Sequence, residues 1–413
     1  MNKFIATFLS IGFLSCTHQK DPELKTGSQM PAVWIDADTG HKLTRLTTLE
    51  NDNRSFYFHN DPFLPSKDGA GEIIIYYGSK KPRQSDKWHK ANEIKQLYAL
   101  NLKTLESKQL THHASSISGE VVGKKRREVF YQSNDTIFAT NVDSGIARVV
   151  FVFPDSIPHA GISSLNADET LLAGVFSVPE KDSILKHNPK KSDFFRLIYS
   201  AKLPHTIFTI NIETKALTYI HTDTAWLNHV QFSPSNPSLL MFCHEGPWHL
   251  VNRIWTIDLH EKKPQLMHKR TVEGEIAGHE SFGPAGDTVW FDLQIPRGKT
   301  FYFTGTDAKT LNEKRYAMTR DEWSIHFTTS PDGQLFSGDG GDSTQVAKAK
   351  NGKWIYLFKR QGDSLKSERL VNMEHHNYDL EPNVHFSPDG KWIIFRANFE
   401  GSSQVYAVAV EKE

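Results

Sequence analysis

The chain has 413 residues, of which 38% are hydrophobic, so it can bury a large core. Its 48 lysines and arginines balance 48 aspartates and glutamates, which argues against broad nucleic-acid binding, since that needs a basic face. The 20 histidines make metal or acid–base chemistry the first thing to look for.

The first segment, residues 1–16, has the pattern of a bacterial export signal. Lys3 supplies a positive start, and residues 4–14 form an apolar run too short to span a bilayer. The run ends in Leu-Ser-Cys at Cys16, which resembles a lipobox. We expect a lipid on Cys16 to anchor the protein in the cell envelope, in the periplasm or outer membrane, with residues 17–30 as a polar tether. The alternative is an ordinary secretory signal with a chance cysteine.

Two short patterns recur about every fifty residues along the rest of the chain. The first is a turn followed by an apolar strand, with its proline at Pro234, Pro284, Pro331 and Pro388 and weaker copies near residues 65, 119 and 166. The second is an alternating strand that begins at Leu97, Ile137, Ile207, Ile254, Phe301, Trp354 and Val405. Each pattern has seven copies, and short strands at this period are typical of propeller blades. We therefore predict an all-β fold, a seven-bladed β-propeller over residues 31–413.

Two further segments complete the predicted architecture. Residues 33–47 have the pattern of a strand hairpin, which could close the ring by pairing with the C-terminal strands. Residues 178–203 are charged and contain proline, so we expect an inserted loop over one face of the propeller.

Polar residues recur just before or within the predicted innermost strands, where they would face the central channel. They are His59, Asn60, His229, His279, His326, Glu381, Asn383 and His385. Any one of these histidines could simply be a satisfied structural residue. Because burying so many imidazoles without purpose is costly, the set as a whole indicates a site.

The segment 242–255 is the most distinctive in the chain, and it packs Cys243, His244, Glu245, His249 and Arg253 between two strands. Cys243 and His244 could bind zinc together with His229, since thiolate and imidazole suit that ion. An inert buried thiol is an equally good interpretation. With Cys16 at the start of the mature chain and carrying lipid, Cys243 is its only other cysteine, so no disulfide framework can form within one mature chain.

This segment also carries a family resemblance. Cys-His-Glu-Gly-Pro at 243–247, followed by Leu-Val, Arg253 and Trp255 and then by Gly-His-Glu at 278–280, resembles the oligogalacturonate lyases of polysaccharide lyase family 22. Trp-Leu-Asn-His at 226–229 and the segments 324–333 and 338–342 extend the similarity. The resemblance implies a seven-bladed propeller that cleaves short pectin fragments by β-elimination with a divalent metal, usually manganese.

The resemblance also implies residue roles. His229 falls on the catalytic histidine of the family and His279 on a metal-ligand histidine. A cation on the uronate carboxylate would stabilise the charge that develops when a base removes the C5 proton. We expect Mn²⁺, with Ca²⁺ or Zn²⁺ as alternatives.

The chain departs from the family at the rest of the metal site. The family's Gln-x-x-His-x-His pattern is replaced by Tyr378, Glu381 and Asn383, and His385 lies two residues beyond. The expected ligands are therefore His279, Glu381, Asn383 and His385. The family's arginine is replaced by Pro204, next to Lys202 and His205. The expected substrate-binding residues are His59, Lys202, His205, His244, His249, Arg253, His326 and Tyr378.

These observations favour a lyase acting on oligogalacturonate or a related uronic-acid oligosaccharide, such as rhamnogalacturonan or ulvan fragments. Ulvan lyases of propeller form use a Cys-His pair in a zinc site, which would suit Cys243 and His244. The alternative is a non-catalytic envelope propeller that binds glycan or protein. A hydrolase is less favoured because the sequence has no Gly-x-Ser-x-Gly elbow, although a carboxylate pair stays open. The sequence indicates no oligomeric state.

Overall fold

The computed structural model describes residues 29–47, 52–69, 71–79, 94–157, 159–341 and 353–412. The predicted export signal, Cys16 and the tether up to residue 28 lie outside these residues. None of the helices in the described ranges is long and apolar enough to cross a membrane.

The first half of the described chain forms a hairpin and three antiparallel blades. The hairpin consists of β1 (Val33–Ile35) and β2 (Lys42–Arg45). Blade 1 contains β3 (Asn53–Arg54), β4 (Phe63–Pro65), β5 (Glu72–Ser79), β6 (Lys95–Asn101) and β7 (Ser107–Gln109). Blade 2 contains β8 (Ser118–Gly123), β9 (Glu128–Ser133), β10 (Thr136–Asn141) and β11 (Ala147–Val152). Blade 3 contains β12 (Gly161–Leu165), β13 (Leu171–Ser177), β14 (His205–Asn211) and β15 (Leu217–Asp223).

The second half forms four more blades. Blade 4 contains β16 (Trp226–Phe232), β17 (Leu239–Glu245), a 3₁₀ turn (Trp248–Leu250), β18 (Ile254–Asp258) and β19 (Gln265–Leu266). Blade 5 contains β20 (Ile276–Phe282), β21 (Thr288–Gln294), β22 (Tyr302–Asp307) and β23 (Glu313–Ala317). Blade 6 contains β24 (Thr328–Thr329), β25 (Leu335–Gly338), β26 (Trp354–Gln361) and β27 (Ser364–Asn372). Blade 7 contains β28 (His385–Phe386), β29 (Trp392–Ala397) and β30 (Gln404–Ala409).

The seven sheets of the described residues confirm the predicted seven-bladed propeller. The recurring turn connects the first two strands of a blade, and its residues explain why it recurs. In blade 6, Ser330 Oγ donates to Asp332 and accepts from the Leu335 amide at 2.9 Å, while Gly333 adopts φ 70°. A left-handed residue is cheapest as glycine. The same turn recurs in blade 7 at Ser387.

The predicted closure of the ring by the N-terminal hairpin is also confirmed. Strand β2 pairs antiparallel with β30, with Leu43 opposite Val408 and Arg45 opposite Tyr406. Blade 7 thus combines strands from both ends of the described chain. Leu43 is fully buried in the apolar core of this blade, so closure stabilises the ring by packing as well as by backbone hydrogen bonds.

The predicted loop over residues 178–203 is wrong in its local structure, because two helices form there. Helix α1 (Pro179–His187) begins with proline and has acidic residues in its first turn and basic ones in its last, which suits the helix dipole. Helix α2 (Lys191–Ala201) buries Ile198. Both helices are too short to show a sustained helical period in the sequence.

Candidate active site

One position, in the innermost strand or two residues before it, carries a polar side chain in four successive blades of the described chain. This position lies five residues before the turn proline and adopts a left-handed φ of 48° to 51°; it is occupied by His229, His279, His326 and Asn383. In β16 and β20 it coincides with a shift in strand register. A bulge of this kind turns a side chain away from the regular alternation of a strand. Gly119 occupies a similar bulge in blade 2, with φ 67°.

The three histidines at this left-handed position converge on the propeller axis. The rings of His279 and His326 lie 4.7 Å apart. Tyr57 of blade 1 reaches across the ring, with centroid distances of 6.2 Å to His229 and 5.4 Å to His326. His59 lies 6.1 Å from His229. Burial, and then the neighbouring His229, lower the pKa of His59 to about 3, so its imidazole is neutral.

Two of the axial histidines are held by buried aspartates. His279 Nδ1 donates to Asp292 at 2.5 Å, and His326 Nδ1 donates to Asp339 at 2.7 Å. Both aspartate side chains are 1% exposed. Burial acts to lower the pKa of His326, but Asp339 and then Glu381 outweigh it and raise the pKa. In both pairs Nδ1 is bonded to the aspartate, so Nε2 is the ring nitrogen that can bind another partner.

His229 belongs to a network of charges on blades 4 and 5. Its Nε2 lies 3.5 Å from Glu245 Oε2. Glu245 Oε1 accepts from Arg253 Nη1 at 2.5 Å, and Arg253 Nε also donates to Glu280 at 2.8 Å. Burial would raise the pKa of Glu245, but Arg253 and His229 lower it below its usual range. Both carboxylates are therefore ionised and hold Arg253 between them, with its side chain 2% exposed.

Cys243 is fully buried beside this network. Its sulfur and the ligand atoms of His229 and Glu245 all lie within 4.8 Å of one another. Burial raises the pKa of the Cys243 thiol. His244, the next residue of β17, faces the other side of the strand, where it stacks on Trp255 at 4.8 Å. The structure therefore brings Glu245, rather than His244, to Cys243 and His229.

The segment that replaces the family's metal-ligand pattern is largely engaged in hydrogen bonds. Asn383 Oδ1 accepts from the Phe58 amide at 2.9 Å, and its Nδ2 donates to the Glu381 carbonyl at 3.1 Å. His385 Nε2 donates to the Phe56 carbonyl at 3.2 Å. Tyr378 donates its hydroxyl to the Asp339 carbonyl at 3.1 Å.

The Glu381 carboxylate, by contrast, reaches the axial histidines. Its Oε2 lies 3.8 Å from His326 Nε2, and its side chain is 39% exposed. Burial would raise the pKa of Glu381, but His326 and His279 in turn lower it. The carboxylate is therefore negative where the two imidazoles meet.

Three other predicted substrate residues lie after α2, at the start of β14 in blade 3, and in the 3₁₀ turn of blade 4. Lys202 ends α2, with its ammonium 4.1 Å from the Tyr199 ring centre. His205 is buried and donates to the Leu203 carbonyl at 2.9 Å, and burial lowers its pKa to about 4. His249 is exposed in the 3₁₀ turn. Their roles in substrate binding stay predictions.

Sequence reasoning missed the carboxylates that hold the axial histidines. Asp292 and Asp339 both lie thirteen residues after their histidine, a repeated spacing that could have indicated the pairing. The spacing arises because both partners occupy matching places on the first two strands of their blades. Glu245 and Glu280 each follow a histidine directly in the distinctive motifs, but their burial around Arg253 depends on contacts between blades.

The sequence profile of the oligogalacturonate lyase family matches residues 26–413. This chain belongs to the oligogalacturonate lyase family. Membership confirms the resemblance inferred from the motifs, and it confirms the enzyme class, a carbon–oxygen lyase.

This member of the family is divergent. It is 23% identical over 406 residues to the oligogalacturonide lyase of Pectobacterium atrosepticum, covering 93% of this chain and 98% of the relative. It is 23% identical over 397 residues to the oligogalacturonate lyase of Dickeya dadantii, covering 92% and 95%.

Two solved structures share the fold. An oligogalacturonate lyase from Vibrio parahaemolyticus superposes with a TM-score of 0.75 at 23% identity, covering 92% of this chain and 96% of that one. An oligogalacturonate lyase in complex with manganese gives a TM-score of 0.75 at 22% identity, covering 94% and 99%. The propeller is therefore the fold of its family.

Proposed function

We propose that this chain cleaves oligogalacturonate, or a closely related uronic-acid oligosaccharide, by metal-assisted β-elimination. Family membership and the oligogalacturonide-named relatives support the substrate class. The observation that carries the proposal is the placement of His229. Its side chain is 26% exposed at the propeller axis, and the Glu245 carboxylate lies 3.5 Å from its Nε2.

His229 is suited to act as the general base. Glu245 fixes the orientation of the imidazole, and Arg253 holds the Glu245 carboxylate in place. The base removes the C5 proton of the uronate. The electron pair of the broken C–H bond forms the C4–C5 double bond, and the C4–O bond breaks as the sugar oxygen leaves. A proton donor to the leaving oxygen completes the step.

The axial donors fit a divalent cation. His279 has Nδ1 on Asp292 and Nε2 available, and Glu381 brings a carboxylate to the same region. Imidazole nitrogen and carboxylate oxygen are both donors that Mn²⁺ accepts. A bound cation would stabilise the negative charge that develops on the uronate carboxylate during proton removal.

Lysines of the helical segment supply positive charge for the carboxylates of the substrate. Lys191 at the start of α2 is close enough to help lower the pKa of Glu381. Lys202 ends the same helix, beside the place where the family's arginine is replaced by Pro204. These ammonium groups complement a polyanionic sugar chain.

The test is ultraviolet absorbance of the 4,5-unsaturated product. The chain without its first 16 residues would be incubated with oligogalacturonate, rhamnogalacturonan and ulvan fragments, with added manganese or with a chelator. We expect absorbance to rise on one substrate and to fall with chelator, and we expect His229→Ala to lose turnover while remaining folded. A rise that chelator does not affect contradicts the metal. No rise on any substrate contradicts the lyase and favours a glycan-binding propeller.

Export and lipid anchoring at Cys16 are part of the same proposal. The apolar run and the Leu-Ser-Cys pattern support them. We expect the full chain to incorporate labelled fatty acid and to fractionate with membranes, and Cys16→Ser to do neither. A full chain recovered unlabelled in the soluble fraction contradicts the anchor.

A further inference from the structure

Two axial histidines of neighbouring blades are oriented as metal-binding histidines usually are. His279 and His326 each donate Nδ1 to a buried aspartate, at 2.5 and 2.7 Å. A carboxylate on one ring nitrogen fixes the ring and makes the other nitrogen a better ligand. The centres of the two rings lie 4.7 Å apart, with the ring planes at 78°.

The Glu381 carboxylate completes this region from blade 7. Its Oε2 lies 3.8 Å from His326 Nε2, which is longer than a hydrogen bond. Two donors at right angles around a small divalent ion lie about 3 Å apart, so a small side-chain rotation would bring both onto one ion. The 39% exposure of the Glu381 side chain leaves room for that rotation.

The other residues at the family's ligand positions are held in hydrogen bonds to the backbone. Both amide atoms of Asn383 are engaged, the oxygen with the Phe58 amide and the nitrogen with the Glu381 carbonyl. His385 Nε2 donates to the Phe56 carbonyl, and Tyr378 donates to the Asp339 carbonyl. These hydrogen bonds fix the backbone beside the site, including the carbonyls of Asp339 and Glu381.

We propose that His279, His326 and Glu381 bind the divalent cation, with Asp292 and Asp339 as the positioning residues. The ligand set thus moves to His326, on blade 6, and away from Asn383 and His385. Two imidazoles and one carboxylate leave coordination positions open, which a uronate carboxylate and water can occupy. This proposal rests on the proposed function in one respect, which is that the open coordination positions of the ion face the uronic-acid oligosaccharide.

Metal binding without substrate tests the ligand set directly. Manganese would be titrated into the chain lacking its first 16 residues and followed by the electron paramagnetic resonance signal of free Mn²⁺ and by calorimetry. We expect one ion per chain, and an affinity loss of about tenfold or more in His326→Asn and in Glu381→Gln. Asp339→Asn should lose about tenfold through misorientation of His326.

The matched control is His385→Gln, which keeps a hydrogen-bond donor for the Phe56 carbonyl and should bind manganese as the parent does. Because buried His326→Asn could unfold, Glu381→Gln at a part-exposed position is the second ligand variant, and thermal unfolding checks both. Parental affinity in folded Glu381→Gln, or its loss in folded His385→Gln, would overturn the ligand set.

The result is separable from that of the proposed function. If manganese binds through these residues but no unsaturated product forms on any uronate, the site stands and the lyase proposal fails. If product forms and both ligand variants keep parental manganese affinity, the lyase stands and this ligand set fails.

Discussion

Glu245 joins His229 to Arg253, with one carboxylate oxygen 3.5 Å from His229 Nε2 and the other 2.5 Å from Arg253 Nη1. The buried Arg253 also pairs with Glu280, so its charge is shared by the two carboxylates. Glu245 therefore orients the proposed base while its own charge is paired with a buried guanidinium.

Replacing Glu245 by glutamine tests this orienting role. Glu245→Gln keeps the size of the side chain but loses the charge that holds His229 and Arg253 together. We expect kcat on the preferred oligouronate to fall about tenfold or more, with little change in KM, because substrate contacts stay intact. The control is Glu128→Gln, in a surface pair with Arg148. Equal kcat values for parent and Glu245→Gln would exclude the role.

Arg253 tests whether the same network is structural. Its guanidinium is held by Glu245 and Glu280, and its side chain is 2% exposed. We expect Arg253→Met to lower the free energy of unfolding by about 3–5 kcal/mol, because it leaves two buried carboxylates unpaired. Arg148→Met, which breaks a part-exposed pair, should cost within about 1 kcal/mol. A stably folded Arg253→Met with only a raised KM would favour a direct substrate contact instead.

His268 lies away from the propeller axis, and we expect it to make the stability of the protein depend on pH. Its two ring nitrogens lie 2.7 Å from Glu275 and 2.5 Å from Glu313, and its side chain is 2% exposed. Burial acts to lower the pKa of His268, but Glu313 and then Glu275 raise it above 6.5. A raised pKa contributes stability that is complete below pH 6.5 and is lost as the pH rises through the folded-state value.

The two glutamates set the acidic limit of this contribution. Burial would raise the pKa values of both glutamates, but both lie below 4.5, because backbone amides and His268 lower that of Glu275 and His268 and Arg315 lower that of Glu313. Their contribution to stability is therefore lost as the pH falls through these lowered values. We expect the difference in unfolding free energy between the parent and His268→Gln to be largest between pH 4.5 and 6.5 and to shrink at alkaline pH. Urea unfolding across this range measures it. A difference that grows with pH would contradict the ion-pair assignment.

The helical segment predicts a change in local stability. The Phe195 ring of α2 lies 5.1 Å from Trp226, three residues before His229. We expect Phe195→Ala to loosen α1 and α2, to speed proteolysis between residues 178 and 203, and to raise KM because Lys191 and Lys202 move with the helices. Leu197→Ala is the matched control, since Leu197 is 43% exposed. Equal cleavage rates in both variants would show that the Phe195–Trp226 contact does not hold the helices.

The repeat could be predicted from the sequence because turn chemistry is local. Serine, aspartate and glycine around Pro331 and Pro388 satisfy one another within a few residues, so each blade carries its own signal. The axial position was only partly predictable. His229, His279 and Asn383 share the five-residue spacing to the proline. His385 does not, because it lies on β28, two residues after that position.

The partners of the axial residues could not be predicted in the same way. Asn383 Oδ1 accepts from the Phe58 amide of blade 1, and Arg253 donates to Glu280 of blade 5, so whether a polar atom stays available depends on packing between blades. The two helices were missed because each spans only two or three turns, and α1 has no buried residue. Their position depends on contacts with Trp226 that no local pattern shows.

The left-handed backbone position of His229, His279, His326 and Asn383 also limits which residue types fit there. Among residues with a positive φ, glycine is by far the easiest, asparagine, aspartate and histidine are enriched, and β-branched side chains are strongly disfavoured. Asparagine, aspartate and histidine can each bind a metal or form a hydrogen bond, whereas glycine places no side chain at the position, as at Gly119. The backbone thus provides equivalent positions around the axis in neighbouring blades. A substitution can remove a ligand from one blade, and another can add a ligand in the next, without a change in the strands.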